Sequence, residues 1–332
     1  MATSTIGSTG DYATLALWID AIDGLGALSA PEIGELQNEE HNAGSVLMTG
    51  GTISASATNQ IILRVVTGGK FDGDPLRYGE GARILFDGTN EYFHVNWNHV
   101  VLQDFAISGT GGSVSSSNGR LWIGYNLTAT LKNLLLQENI ATYNIDDRGA
   151  AAGVRENILA IRTGGTGIIG IRCANFNKTY QNCSAIAVGG GTTSTAFEKA
   201  YTTPTWVNCV AYGYSTDFNA TYGAGSKNCA TDKASGSSNI ASMTGAQFSV
   251  ASGDFVSVTN GTHDIRVASG STKLKDLGAA SGGTTTDILG NAISGGTRDI
   301  GAHEYQAAAS GLAANPIFGG GAAALPLGGY VA

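Results

Sequence analysis

The sequence predicts an all-β chain wound as a single-stranded parallel β-helix, a solenoid, and three observations predict it. Glycine supplies 49 of the 332 residues while charged residues supply only 13%, about half the roughly 25% of an ordinary domain. Short apolar runs rich in β-branched and aromatic residues recur between Gly, Asn and Asp turns. A three-residue phrase, polar then Asn or Asp then apolar, returns along the middle of the chain at intervals that suit one turn of a coil.

The same composition excludes other classes. Helical bundles need Lys, Glu and Leu in quantity, and disorder is disfavoured by recurring apolar clusters. Five prolines without a Gly-X-Y period exclude collagen. Eighteen basic against twenty-six acidic residues leave a net charge of −8, which repels a phosphate backbone, so no nucleic-acid partner is expected. No apolar run reaches the roughly 18 residues that span a bilayer, and no basic-then-apolar leader opens the chain. No membrane insertion is expected, and synthesis is expected in a cytosol.

Taken in order, Asp11 precedes Tyr12, Leu15, Leu17, Trp18, Ile19 and Ile22, spaced as one apolar face of a short helix over about 11–23. Asp11 is the expected N-cap and Gly24 the expected stop. From Val46 the pattern becomes β: SVLM, QIILRVV, ARILF, YFHVNW and VVLQDFAIS. The recurring phrase is then Gln103-Asp104-Phe105, Lys132-Asn133-Leu134, Glu156-Asn157-Ile158, Gln181-Asn182-Cys183, Val207-Asn208-Cys209 and Lys227-Asn228-Cys229. Its central residues lie 29, 24, 25, 26 and 20 apart.

A coil of about 25 residues per turn stacks equivalent positions at about 4.8 Å. Asn suits a stacked corner because it tolerates left-handed φ and its amide bonds the Asn above and below. Cys183, Cys209 and Cys229 are expected as one internal ladder of small apolar fillers, not as ligands. The expected division is 1–40, an N-terminal segment with a capping helix; 41–305, a β-helix of about ten turns; and 306–332, a Gly/Ala-rich extension. That extension has no charged side chain and needs a surface to order it, so Ile317, Phe318, Leu325, Leu327 and Tyr330 are its expected docking anchors. Capping of the last open turn is the alternative.

The opening Gly10-Asp11-Tyr12-Ala13-Thr14-Leu15 with Trp18, the NC-containing turns, and the close Thr297-Arg298-Asp299-Ile300-Gly301-Ala302-His303-Glu304-Tyr305 resemble phage-encoded right-handed parallel β-helix virion proteins. Asp287-Ile288-Leu289-Gly290 sits where that family has a D-x-x-G phrase. The resemblance covers about residues 10–305. It implies the right hand of the coil, a homotrimer by analogy with trimeric spikes, and partners among other virion proteins such as capsid or tail. Virion-surface localisation follows from it.

The chemistry candidates are few. Asn144-Ile145-Asp146-Asp147 resembles phrases of polygalacturonase-like hydrolases, whose GHG and RIK phrases are absent here. Strand neighbours point to opposite faces, so only one of Asp146 and Asp147 faces a groove, and a partner acid 5–9 Å away is needed. Asp146, Asp147 and Glu156 are the catalytic candidates, with a solvated loop the preferred reading. Arg155, Arg162 and Arg172 are expected in surface or corner salt bridges. Asp72-Gly73-Asp74 reads as a turn before a cation site. Gly165–Gly170 matches G-x-G-x-x-G without the following helix and acid, and is rejected. No CxxC pair or histidine set supports a metal, so no metal or cofactor is expected. Tyr201, Trp206, Tyr212, Tyr214, Phe218 and Tyr222 cluster in one window, and Trp206, Tyr212 and Tyr214 are the carbohydrate-binding candidates for a host surface glycan.

The expected function is a non-enzymatic phage virion surface structural protein, a capsid decoration or head spike. The alternative is a receptor-binding tailspike with polysaccharide depolymerase activity. A cellular adhesin or secreted pectinolytic enzyme ranks third.

Overall fold

The computed structural model describes residues 2–66, 83–88, 91–109, 119–138, 143–164, 168–188, 194–219, 221–280, 285–293 and 297–306. The chain is a right-handed parallel β-helix. One stack of parallel strands runs Ala2–Ile6, Glu32–Leu36, Ile61–Val65, Val100–Gln103, Ala129–Glu138, Arg155–Arg162, Ser184–Ala187, Val210–Tyr212 and Ala230–Thr231. A second stack runs Val46–Met48, Phe93–Val95, Gly119–Ile123, Tyr143–Asp147, Ile169–Cys173, Thr195–Lys199 and Thr216–Phe218. These are called the first and second sheets.

About seven turns carry strands in both sheets, fewer than the ten expected from length, because the chain leaves the coil after about residue 250. The expected boundary at residue 40 also differs from the observed coil. Ala2–Ile6 and Glu32–Leu36 already form its first two rungs, in register with Ile61–Val65. Their alternation was hidden by short length and by Glu32 and Glu35.

The N-terminal helix spans Leu15–Asp23, with Thr14 and not Asp11 as its N-cap: Leu17 N donates to Thr14 Oγ1. Asp11 instead accepts from Thr5 N and Oγ1. Leu15, Trp18, Ile19 and Ile22 are buried, while Leu17 turns outward. Gly24 closes the helix with right-handed φ −84, so no left-handed cap is used.

Inside the coil one apolar row runs Phe93, Leu121, Ile145, Ile171, Phe197, Phe218 through five successive rung pairings. Phe197 and Phe218 stack with centroids 4.6 Å apart. Each such side chain contributes about 1.5–3 kcal/mol on burial.

The corner ladder predicted from the phrase is present. Asp104, Asn133, Asn157, Asn182, Asn208 and Asn228 all hold φ between 51° and 65°. Their side chains bond along the stack: Asn133 Nδ2 donates to Asp104 Oδ1 (2.7 Å), Asn157 Nδ2 to Asn133 Oδ1 (2.8 Å), and Asn208 Nδ2 to Asn182 Oδ1 (3.0 Å). Within Ala129–Glu138 the Asn133 bend lets one end pair with Val100–Gln103 and the other with Ala106–Gly109. Cys183, Cys209 and Cys229 are fully buried free thiols, and burial pushes the Cys183 and Cys229 thiols up.

Residues 250–305 were expected as further turns of the β-helix; those described instead fold back over the outer surface of the first sheet between Ala106 and Ala230. Val250, Phe255, Ile265, Val267, Leu274, Ile288, Ile300 and Ala302 pack there against Ala106, Leu135, Leu159, Ile161, Ile186, Val210 and Ala230. The Asn ladder anchors this cover: Asn157 Nδ2 donates to Thr286 O, Asn208 Nδ2 to Ala279 O, and Asn228 Nδ2 to Leu277 O. The closing phrase is a clasp. Gly301 N, at φ 111, donates to Asn208 O, and Ala302 N donates to Ser184 Oγ. Asp299 accepts from Asp276 N and Tyr305 N, Asp287 accepts from Glu304 N, and Glu304 accepts from Asp299 N.

Three carboxyls therefore share one buried clasp. Burial raises Asp287 and Asp299 above the ordinary carboxylate range and lifts Glu304 to about 7. The folded state then holds a proton that the unfolded chain releases, so unfolding stability falls as pH rises between about 4.5 and 7. A thermal-unfolding series from pH 5 to 8 is expected to show Tm declining, with the decline flattened in Glu304→Gln. An unchanged slope in that variant would assign the effect elsewhere.

Candidate functional site

The cover spans the first sheet only from Ala106 to Ala230; the second sheet, outside it, carries a row of aromatic and charged side chains. Strand register stacks His94, Trp122, Asp146, Arg172 and Glu198 in one outward row. The His94 and Trp122 rings stack at 3.8 Å and 7°, and burial with the nearby Arg148 holds His94 down at about 4, a neutral imidazole at pH 7. Arg148 lies over Trp122 and Tyr125, and Arg172 over Tyr143, at 4.7–5.3 Å, within cation–π range.

Asp146 and Asp147 do point to opposite faces, but neither lies in a solvated loop. Both are fully buried on the strand Tyr143–Asp147. Asp146 sits beneath Arg148 (2.7 Å) and Arg172 (3.7 Å), and burial raises it. Asp147 points inward, bonded by Arg155 Nε (2.8 Å) and Tyr180 OH (2.8 Å), with Lys178 Nζ at 3.6 Å. Burial opposes its ionisation, yet the two cations hold it well below the ordinary carboxylate range.

Arg155 is thus a core residue, not a surface one, and Arg162 is likewise buried, donating to Gly164 O and Ser194 Oγ. Only Arg172 makes the expected surface bridge, to Asp146 and Glu198. Glu156 belongs to the first sheet, paired with Lys132 at 3.1 Å, so the structure does not bring it to the Asp146 row. Glu198, which the sequence reading passed over, is the acid that shares that row; an equal rung offset from Arg172 was the available signal.

The aromatic window is mostly core. Trp206 and Tyr214 are 1% exposed, and Trp206 packs on Tyr180 and Phe197. Neither presents a ring to a sugar. Tyr212 is half-buried against Phe255 under the C-terminal cover. Their alternation follows the coil's inside, which spacing alone did not reveal. Tyr201 is the exposed member, at 80%. Asp72, Asp74 and the docking residues Ile317, Phe318, Leu325, Leu327 and Tyr330 lie outside the described residues.

The surface depressions among the described residues include two beside the coil. One, of about 450 Å³, lies beside the helix start and residues 39–46. Its polar groups are engaged: Glu39 by Ser8, Glu40 by Arg83, His41 by Gln37 O. The other, of about 520 Å³, is an open hollow at the corner leaving the second sheet, lined by Asn126, Asn175, Phe176, Asn177 and Thr202. No group of three or more His, Cys, Asp or Glu that could hold a metal occurs among the described residues.

No family model matches the chain, and no curated protein matches it. Among solved structures, the chain is similar to the crystal structure of a pectate lyase, Pel9A, at 11% identity and TM-score 0.33, covering 92% of this chain and 98% of that one. The parallel rung pairing described above is what makes this chain a parallel β-helix.

Proposed function

We propose that the protein is a non-enzymatic structural β-helix displayed on a bacteriophage virion surface, a capsid decoration or head spike whose rigid body holds one face outward. The observation that supports this most is the cover that the chain lays over the first sheet between Ala106 and Ala230. The chain covers that side with its own residues 250–305 and pins the cover to the Asn ladder. The second sheet lies outside this cover and, with its corner, is the presenting side of the proposal. The motifs at both ends that resemble phage-encoded virion proteins support the setting. A homotrimer and docking through the 306–332 extension complete the proposal.

The test is immunogold labelling of particles released by cells that carry the gene, with serum against residues 41–305. Label on particle surfaces is the expected result. Protein recovered only from the cell fraction, with unlabelled particles, would overturn the reading.

A tailspike with depolymerase activity is the second reading, favoured by Asp146 and Glu198 on one outward row. Two rungs separate them by about 9.6 Å, at the far limit of the roughly 6.5–9.5 Å of an inverting pair. Arg172 stands between the two and binds both, an arrangement suited to a structural ladder. Polysaccharide clearing that is lost in Asp146→Ala/Glu198→Ala would decide for the second reading.

A further inference from the structure

The corner hollow combines an exposed ring, a left-handed backbone and a row of amides. Phe176 holds left-handed φ 60, a conformation that is strained for a bulky side chain and persists where surroundings impose it. Its ring does not join the core; it is 40% exposed at the hollow. Asn126 holds φ 61 on the same corner, where Asn pays little because its short amide tolerates that region. An aromatic therefore occupies a backbone position where Asn would fold more readily, and it points at solvent.

The remaining lining is uncharged. Asn126, Asn175 and Asn177 bring side-chain amides to it, of which Asn177 uses its Oδ1 for Thr203 N and Oγ1. Thr202 Oγ1 donates to Phe176 O, which holds the two loop layers together. Of the cations nearby, Lys178 is buried and turned inward to Asp147 O and Asn175 O, and Arg148 is engaged by Asp146 and Tyr125. Tyr125 and Tyr201, 56% and 80% exposed, belong to the segments that supply Asn126 and Thr202.

We infer that this hollow, centred on Phe176, is a binding site for an uncharged saccharide. The ring face of Phe176 supplies flat apolar surface for the C–H face of a pyranose, the exposed Tyr201 next to Thr202 in the chain is available to extend it, and the amides of Asn126, Asn175 and Asn177 supply donors and acceptors for its hydroxyls. A hollow of this volume lies within the range of small-ligand sites, and its openness suits an internal segment of a longer glycan. The site lies away from Trp206, Tyr212 and Tyr214. The inference deepens the proposed presenting side by naming its ligand class and is tested independently of particle location.

The test is calorimetric titration of the full chain with neutral oligosaccharides (dextran, malto-, galacto- and manno-oligomers) and with an acidic oligogalacturonate. Saturable binding of at least one neutral oligomer is expected, weakened about tenfold by loss of one stacking ring in Phe176→Asn, and further in Phe176→Asn/Tyr201→Ala. Phe176→Asn keeps the backbone conformation, so its Tm is expected to equal or exceed that of the parent, separating lost binding from lost folding. Silence with every neutral oligomer, binding of the acidic one alone, or equal binding by both variants would overturn the inference. So would concentration-dependent self-association abolished by Phe176→Asn, which would make the hollow a contact between copies. None of these outcomes bears on particle labelling, so failure here and failure of the virion reading are distinguishable.

Discussion

Asn208→Ala is expected to lower the unfolding free energy by roughly 4 kcal/mol, combining a left-handed backbone cost with loss of buried hydrogen bonds. Asn208 holds φ 53 and is fully buried. Its amide donates to Asn182 Oδ1 and Ala279 O, and its Oδ1 accepts from Ala279 N at 2.7 Å. Alanine would leave the buried Asn182 Oδ1 and the half-buried Ala279 N and O without these partners, in a backbone conformation it disfavours. Asn208→Gly makes the same hydrogen-bond loss without the backbone penalty and is expected to be about 1 kcal/mol milder. Urea unfolding followed by tryptophan fluorescence measures both. Equal losses for the two variants would show that the backbone term is negligible. A loss under about 1 kcal/mol for alanine would sink the ladder as a main support of the fold.

Asp147→Asn is expected to cost about 3–5 kcal/mol, the range for removing one partner of a buried ion pair. The variant keeps the shape and an acceptor for Tyr180 OH, so the loss reports the uncompensated charges of Arg155 and Lys178, both fully buried. The pH dependence has a definite sign. Because the folded carboxyl titrates far below its unfolded value near 4, its contribution is complete above that value and is lost as pH falls below it. The clasp carboxyls act in the opposite sense above about pH 4.5, so stability is expected to peak near pH 5. Urea midpoints at pH 3 and 5 should differ strongly in the parent and much less in Asp147→Asn. Parallel losses in both would remove Asp147 as the cause.

Much of the coil was legible because its determinants are local. The strand runs from Val46 to Ser108 appear as strands at those places, since β-branched and aromatic runs between turn residues have few other outcomes. The Asn phrase was readable because left-handed φ selects Asn at a corner, and stacking repeats the selection every turn. The helix was found but its cap was not: Asp11 and Thr14 are both good caps, and only the approach of Thr5 removes Asp11 from that role.

The candidate site was far less legible. Asp146 and Asp147 differ in everything that matters chemically, yet adjacent identical residues carry no mark of which faces Arg155 and which faces Arg172. Trp206 and Tyr214 share a composition with exposed sugar platforms and end up inside. Phe176, in an Asn-rich loop between two strands, carried no periodic signal, and its meaning appears only with its φ and its neighbours across the corner.

Repeat spacing, turn chemistry and apolar alternation were thus enough to specify a parallel coil and the residues of its ladder, because each acts over a few residues and recurs. The tertiary structure alone decided that the closing phrase is a clasp, that the described residues among 250–305 cover one sheet between Ala106 and Ala230, and that the other sheet stays outside that cover. Those outcomes depend on contacts across more than a hundred residues, such as Ala302 N on Ser184 Oγ. Such contacts are set by which surfaces the whole coil leaves uncovered, a quantity with no local signature.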